Sequence, residues 1–185
     1  MTMLSPKKGR LLIAEPSILN DASFKRSIIL LTEHSDKSSV GFILNKPLEY
    51  VLEDLIPDLN CDFTVYQGGP VEQDNLYFIH RIPHLLPDSI EVANGIYWGG
   101  NFEALKNVLI DNLIDPNDIR FFLGYSGWEA NQLHCELETQ SWFITENDSD
   151  NIFSEDEESI WKNKLMQRGG EYKIWANAPA DIKMN

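Results

Sequence analysis

Cysteine is almost missing from this chain. Cys61 and Cys135 stand alone, too few for a disulfide framework and without the paired spacing of a zinc site. Long apolar runs are missing too, so no stretch is fit to cross a bilayer. Residues 1–10 lack the hydrophobic centre of a secretion signal. These absences predict a soluble, cytoplasmic protein with no membrane partner. Positive charge is scarce as well: 15 Lys and Arg face 29 Asp and Glu, giving a net charge of −14 and a pI near 4.5. Such a field repels phosphate and anionic lipid. Non-specific DNA binding draws on phosphate neutralisation, so direct nucleic-acid binding is not expected. The local basic residues Lys7, Lys8, Arg10, Lys25 and Arg26 leave room only for one small basic face.

Histidine is thin. His80 and His84 flank a stretch containing Pro83, which breaks any helix that could align them as a ligand pair. His134 and Cys135 are neighbours that a helix would point about a hundred degrees apart. No ligand spacing recurs among the His and Cys residues, so neither a metal nor another cofactor is expected. The Gly68-Gly69-Pro70 turn does not lead into G-x-x-x-x-G-K-[ST], which excludes a nucleotide P-loop.

What is present is apolar and aromatic. At 43% hydrophobic and 11% aromatic, 185 residues suffice for one domain that buries roughly 70% of its extended-chain surface. Residues 1–8 read as a flexible arm, 9–178 as a single domain and 179–185 as a frayed tail. Continuous apolar runs at 9–14, 27–32 and 40–44 predict strands buried on both faces, with 34–39 connecting the last two. Further strands are predicted at 63–66, 76–80, 89–93 and 96–98, the last two joined by an Asn94-Gly95 hairpin turn. A short helix is expected over 49–56, with Leu52, Leu55 and Ile56 inward. A longer one over 102–113 has Asn101 as its cap and Phe102, Leu105 and Leu109 on its inner face. A last helix opens at a capping box, Ser154 to Glu157, is buried by Trp161 and Leu165, and stops at Gly169. The acidic segment 146–158 reads as a solvated loop running into that helix, and 172–175 as a closing strand. Strands interleaved with three or four helices in no regular βαβ order give an α+β fold, with a closed or strongly bent sheet.

Residues 120–142 organise the chain. An apolar run ends in Gly124-Tyr125-Ser126-Gly127-Trp128, followed by Ala130, Leu133 and Leu137 at helical spacing. The pattern predicts strand, tight turn, helix and strand, with Ser126 and Trp128 at the turn and Gln132 and Glu136 one helical turn apart. G-Y-S-G-W resembles the nucleophile elbow G-x-S-x-G but lacks its last glycine, and no histidine follows at a useful distance. An inert Ser126 that caps the helix is favoured over a nucleophile. Gly68-Gly69 reads as a structural turn rather than an anion nest. Gln132 is expected to pin a neighbouring loop. Trp98 and Trp128 would be core residues or, if exposed, protein-interface anchors.

Several ordered matches resemble the AlgH/YqgE family of small bacterial proteins, which has no established biochemical activity. They are the strand at 11–16, Phe24 with Ser27, Glu33-His34, and the run from Gly41 to Pro47. Gly68-Gly69-Pro70, His80, the run from Leu123 to Trp128, Gln132-Leu133, Glu136 and Trp142 complete the set. The resemblance implies a bent, partly barrel-like sheet flanked by helices, and a transcriptional-regulator label. Asn131 departs from the family pattern, which has glycine there, and a left-handed backbone at Asn131 would preserve the turn. His134 stands where an acid is common. No catalytic set is assigned. The candidate binding pocket comprises Tyr125, Ser126, Trp128, Gln132 and Glu136, with His34, Asn45, Lys46, Gly68, Gly69 and His80 around it. The favoured function is a non-catalytic binding or regulatory module for a protein or small-molecule partner. The alternatives are a hydrolase or transferase using Ser126, or His34 with Glu136, and a DNA-associated regulator.

Overall fold

A computed structural model describes residues 4–148, 150 and 152–179. The start of the expected arm (1–3) and most of the expected tail (180–185) lie outside the described residues. The fold is α+β. Its strands are β1 Leu11–Ala14, β2 Ile28–His34, β3 Ser38–Ile43, β4 Pro47–Val51, β5 Thr64–Gln67, β6 Val71–His80, β7 Ile90–Ala93, β8 Ile96–Trp98, β9 Ile119–Glu129 and β10 Trp142–Thr145. The helices are α1 Leu52–Leu55, α2 Phe102–Ile110, α3 Gln132–Glu138, α4 Ile160–Arg168 and α5 Tyr172–Ala176.

The strand order is β10-β1-β2-β3-β9-β6-β8-β7, with β4 paired to β5 and β5 to β9. One strand joins everything. Val65 to Gln67 of β5 pair in parallel with Phe121 to Leu123 of β9, whereas Ser38 to Gly41 of β3 pair with Ser126 to Glu129. Strand β6 follows β9 along Ile119 to Leu123 and meets it again at Tyr125. The sheet therefore forks at Gly124.

Phe121 and Phe122 show why the Ile119–Leu123 run is apolar throughout. Successive side chains point to opposite faces. Phe122 stacks on Phe42 at 4.9 Å and joins the larger core, built on β1, β2, β3 and α4. Phe121 packs edge-on to Phe63 at 5.8 Å in the smaller core, with Leu105, Val108 and Leu109 of α2. Both phenylalanines are fully buried. The Asn94-Gly95 turn has φ of 53° and 76°, both positive as a two-residue type I′ hairpin requires. Asn101 caps α2 by accepting from the Ala104 N–H at 2.9 Å.

Five expectations are corrected. Residues 172–175 form helix α5 and not a strand: Tyr172 and Ala176, one turn apart, face inward, while Ile174 and Trp175 are exposed. The helix expected over 49–56 shrinks to α1, because residues 47–51 pair with β5 and Leu55 faces outward. The inner face of α2 is Leu105, Val108 and Leu109, leaving Phe102 exposed. Helix α4 starts at Ile160 rather than at the 154–157 capping box, and Asp156 accepts from the Ser159 N–H instead. The loop expected at 34–39 narrows, since β2 runs through His34 and β3 begins at Ser38. Trp161 and Leu165 bury α4 as the periodicity predicts.

Candidate functional site

Ser126 does not sit at a turn. Strand, turn, helix and strand follow in the expected order, but β9 runs on to Glu129, so the turn lies at Ala130-Asn131 and Asn131, not Ser126, stands at the N-cap of α3. Gly124 combines a left-handed φ of 70° with close approach, since a Cβ on it would lie 2.6 Å from the Gly69 carbonyl oxygen, while one on Gly127 would lie 3.2 Å from the Tyr125 ring of its own strand. Gly68 is the other half of this seam. Its N–H donates to the Leu123 carbonyl at 2.9 Å, and its carbonyl accepts from the Ile43 N–H at 2.9 Å and the Ser126 hydroxyl at 3.1 Å. Ser126 is fully buried. Two glycine motifs distant in sequence thus stitch the fork together.

A second group forms around Glu136. Its Oε2 accepts the indole N–H of both Trp128 and Trp142, each at 2.8 Å, and its Oε1 accepts from the Gln132 amide at 2.9 Å. The Gln132 carbonyl oxygen accepts from the Glu129 N–H at 3.0 Å, so Gln132 ties α3 to the end of β9 rather than to a neighbouring loop. Asn131 has the left-handed φ of 64° that the sequence requires of it. Trp128 is core and packs edge-on against Trp142 at 6.2 Å.

The remaining candidates are dispersed. Tyr125 meets Tyr77 edge-on at 5.8 Å. Asn45 bridges the Ile28 N–H and the Arg26 carbonyl, each at 2.9 Å. Lys46 donates to the Ser23 carbonyl, and burial pushes its ammonium pKa down. His34 is exposed, with Nδ1 2.7 Å from the Ser39 hydroxyl. His80 pairs with Ile119, seven residues along β9 from Ser126, which is about 23 Å of extended strand.

His80 has a structural part. It is fully buried, Nε2 meets the Gly99 carbonyl at 3.0 Å, and Nδ1 accepts from the Ile82 N–H at 3.2 Å. These partners fix the neutral tautomer protonated on Nε2, and burial pushes the imidazole pKa below its ordinary value. The folded chain therefore resists a proton that the unfolded chain accepts near pH 6.5. Stability is complete above about pH 6.5 and falls as the pH drops below it, by up to about 1.4 kcal/mol per pH unit from this group. His80→Gln should flatten that slope between pH 7 and 5 in urea-unfolding curves.

The sequence reading missed one buried polar cluster. Arg120 donates to the Leu44 carbonyl at 2.7 Å and the Phe153 carbonyl at 2.8 Å, and its guanidinium lies 4.3 Å over the Tyr66 ring. The Tyr66 hydroxyl donates to Glu157, and burial pushes its pKa up to about 12. A lone arginine inside an apolar strand was the available signal. Glu15 was missed too, an acid wedged between a core strand and Pro16 yet only 6% exposed. Among the described residues, no group of three or more His, Cys, Asp or Glu could hold a metal ion, and no helix is long and apolar enough to cross a membrane.

A family profile described as AlgH-like matches residues 11–173. A UPF0301 protein of Cytophaga hutchinsonii is 41% identical over 180 residues, covering 96% of this chain and 98% of its own length. Two solved structures share the fold. Protein DIP2367 from Corynebacterium diphtheriae has a TM-score of 0.76 at 21% identity, covering 96% of this chain and 95% of its own. The AlgH protein from Pseudomonas aeruginosa has a TM-score of 0.72 at 23% identity, covering 97% and 98%. Matched along nearly its whole length in both sequence and fold, this chain belongs to the AlgH-like family.

Proposed function

We propose that this chain is a non-catalytic binding or regulatory module of the cytoplasm, acting on a small-molecule or protein partner. One observation carries the reading: the polar side chains of its sequence motifs are spent on the fold itself. The Ser126 hydroxyl is buried and donates to a backbone carbonyl, which gives it no route to attack a substrate. Glu136 is held by three donors from its own fold. Neither the hydrolase reading nor its variant with His34 gains support from these contacts. The DNA-regulator reading needs a basic face, yet several of its members are engaged internally. Arg10 pairs with Glu146 at 2.6 Å, Arg26 donates to the Ala178 and Pro179 carbonyls, and Lys46 is turned to Ser23. Two free thiols, Cys61 and Cys135, accord with a reducing compartment.

The test combines a thermal-shift screen of the full chain against a metabolite panel with affinity capture of protein partners. At least one ligand that raises Tm, or one partner captured specifically, is expected. Failure of both arms overturns the reading.

A further inference from the structure

We propose that the pocket between residues 16–18 and α5 binds a primary alkylammonium group; the inference rests on the binding-module reading and gives it a ligand class. The pocket holds about 280 Å³, close to the lower end for small-molecule sites and suited to a short alkyl chain. Glu15, Ser17, Gln140, Glu171, Tyr172 and Trp175 line it, and the Ser17 hydroxyl donates to the Gln140 carbonyl at 2.7 Å. Among the described residues, no Lys, Arg or His lines it.

Glu15 is the decisive residue. It is 6% exposed, and its backbone is fixed where its N–H donates to the Ser141 carbonyl at 2.9 Å. Oε1 accepts the Tyr172 hydroxyl at 3.1 Å and has the Arg168 guanidinium 3.8 Å away. Oε2 has no hydrogen-bond partner among the described residues. Arg168, stacked on Phe143 at 4.1 Å and on Tyr172 at 4.5 Å, offsets part of the Glu15 charge through Oε1, and the charged residues of the lining itself are the acids Glu15 and Glu171. Burial pushes the Glu15 pKa up, a penalty on the charged form that a bound cation would offset. An ammonium supplies three donors and no acceptor, which matches walls of carboxylate, amide and hydroxyl oxygen. The half-exposed Trp175 lines the same pocket, and an aromatic ring attracts a cation. The chain's net charge of −14 draws cations towards it from a distance.

The full-length chain is titrated with n-butylamine at pH 7, and the Trp175 indole signal is followed by NMR. n-Butanol serves as the uncharged isostere and acetyl-Gly-Lys-Gly-amide as the peptide arm. A saturable Trp175 shift with butylamine and none with butanol is expected. Glu15→Gln should weaken binding at least about tenfold, since a charge-assisted contact is lost. Trp175→Ala, at a partly exposed position whose loss spares the core, should weaken it about threefold. A free amine that binds as well as the peptide marks a metabolite site, and a tighter peptide marks a lysine of a partner protein; either supports the pocket's chemistry. Equal binding of butanol, or an unchanged affinity in a folded Glu15→Gln chain, overturns it. No amine binding alongside a hit in the broader screen removes this pocket and leaves the binding-module reading standing.

Discussion

Gly68→Ala should cost about 3 kcal/mol or more of folding stability, at the upper end of what overpacking a core does. The backbone at Gly68 is not left-handed, so the cost is one of space. A Cβ there would lie 2.1 Å from the Gly124 carbonyl oxygen and 3.0 Å from both the Phe122 Cβ and the Phe42 ring. None of these is the loose end of a flexible side chain. The Gly124 carbonyl belongs to β9 at the fork, and Phe42 and Phe122 stack in the core, so relief would have to part β5 from β9. That movement also strains three hydrogen bonds, those of Gly68 with Leu123, Ile43 and Ser126. Gly95→Ala is the control. Gly95 has φ of 76° but nothing within 4 Å of a new Cβ, so it should lose only the conformational cost of about 1 kcal/mol. Urea unfolding of both variants measures the difference. A Gly68→Ala chain no less stable than Gly95→Ala would mean that the two glycine motifs do not close the fork.

The fork also marks how far the sequence could be read. The strands at 11–14, 28–32 and 40–43 were legible because each apolar run is too long to be a turn and too short for a buried helix. The hairpin at Asn94-Gly95, the cap at Asn101 and the left-handed Asn131 were legible because each depends on one residue's local chemistry. Gly124-Tyr125-Ser126-Gly127 misled for the opposite reason. Gly124 does have a left-handed φ of 70°, yet it lies inside β9, and the carbonyls that crowd it belong to Gly69 and Val71, more than fifty residues earlier in the chain. No local pattern carries that information. The same holds at the candidate site: one helical turn already suggests the Gln132–Glu136 contact, whereas the two tryptophans converging on Glu136 depend on β9 and β10 flanking α3. Residues 172–175 failed through ambiguity, since four residues satisfy either period.

The second large effect is at Arg120, where Arg120→Met should cost about 3–5 kcal/mol, the range for breaking a buried charged network. The side chain is 5% exposed and holds three pieces of the fold at once: the end of β3 through Leu44, the acidic segment through Phe153, and Tyr66 through its ring. Methionine keeps most of the apolar contact and loses both donors, leaving two carbonyls unpaired at about 1–3 kcal/mol each. The ion pair with Glu157 is the smaller part. Its closest approach is 3.9 Å and the Glu157 side chain is 32% exposed, so screening holds it to about 1 kcal/mol or less. A double-mutant cycle separates the two contributions. Glu157→Gln alone should cost little, and Arg120→Met with Glu157→Gln should lose about as much as Arg120→Met alone. Arg120→Lys should recover less than half of the loss, because an ammonium cannot span two carbonyls and also lie flat on a ring. Proteolysis within residues 146–158 should appear in Arg120→Met before global unfolding, since Ile152 and Phe153 are buried under that tether. If the coupling energy approached the full loss, or lysine restored the wild-type curve, charge would be what fastens the acidic segment, and the hydrogen-bond fork of Arg120 would be incidental.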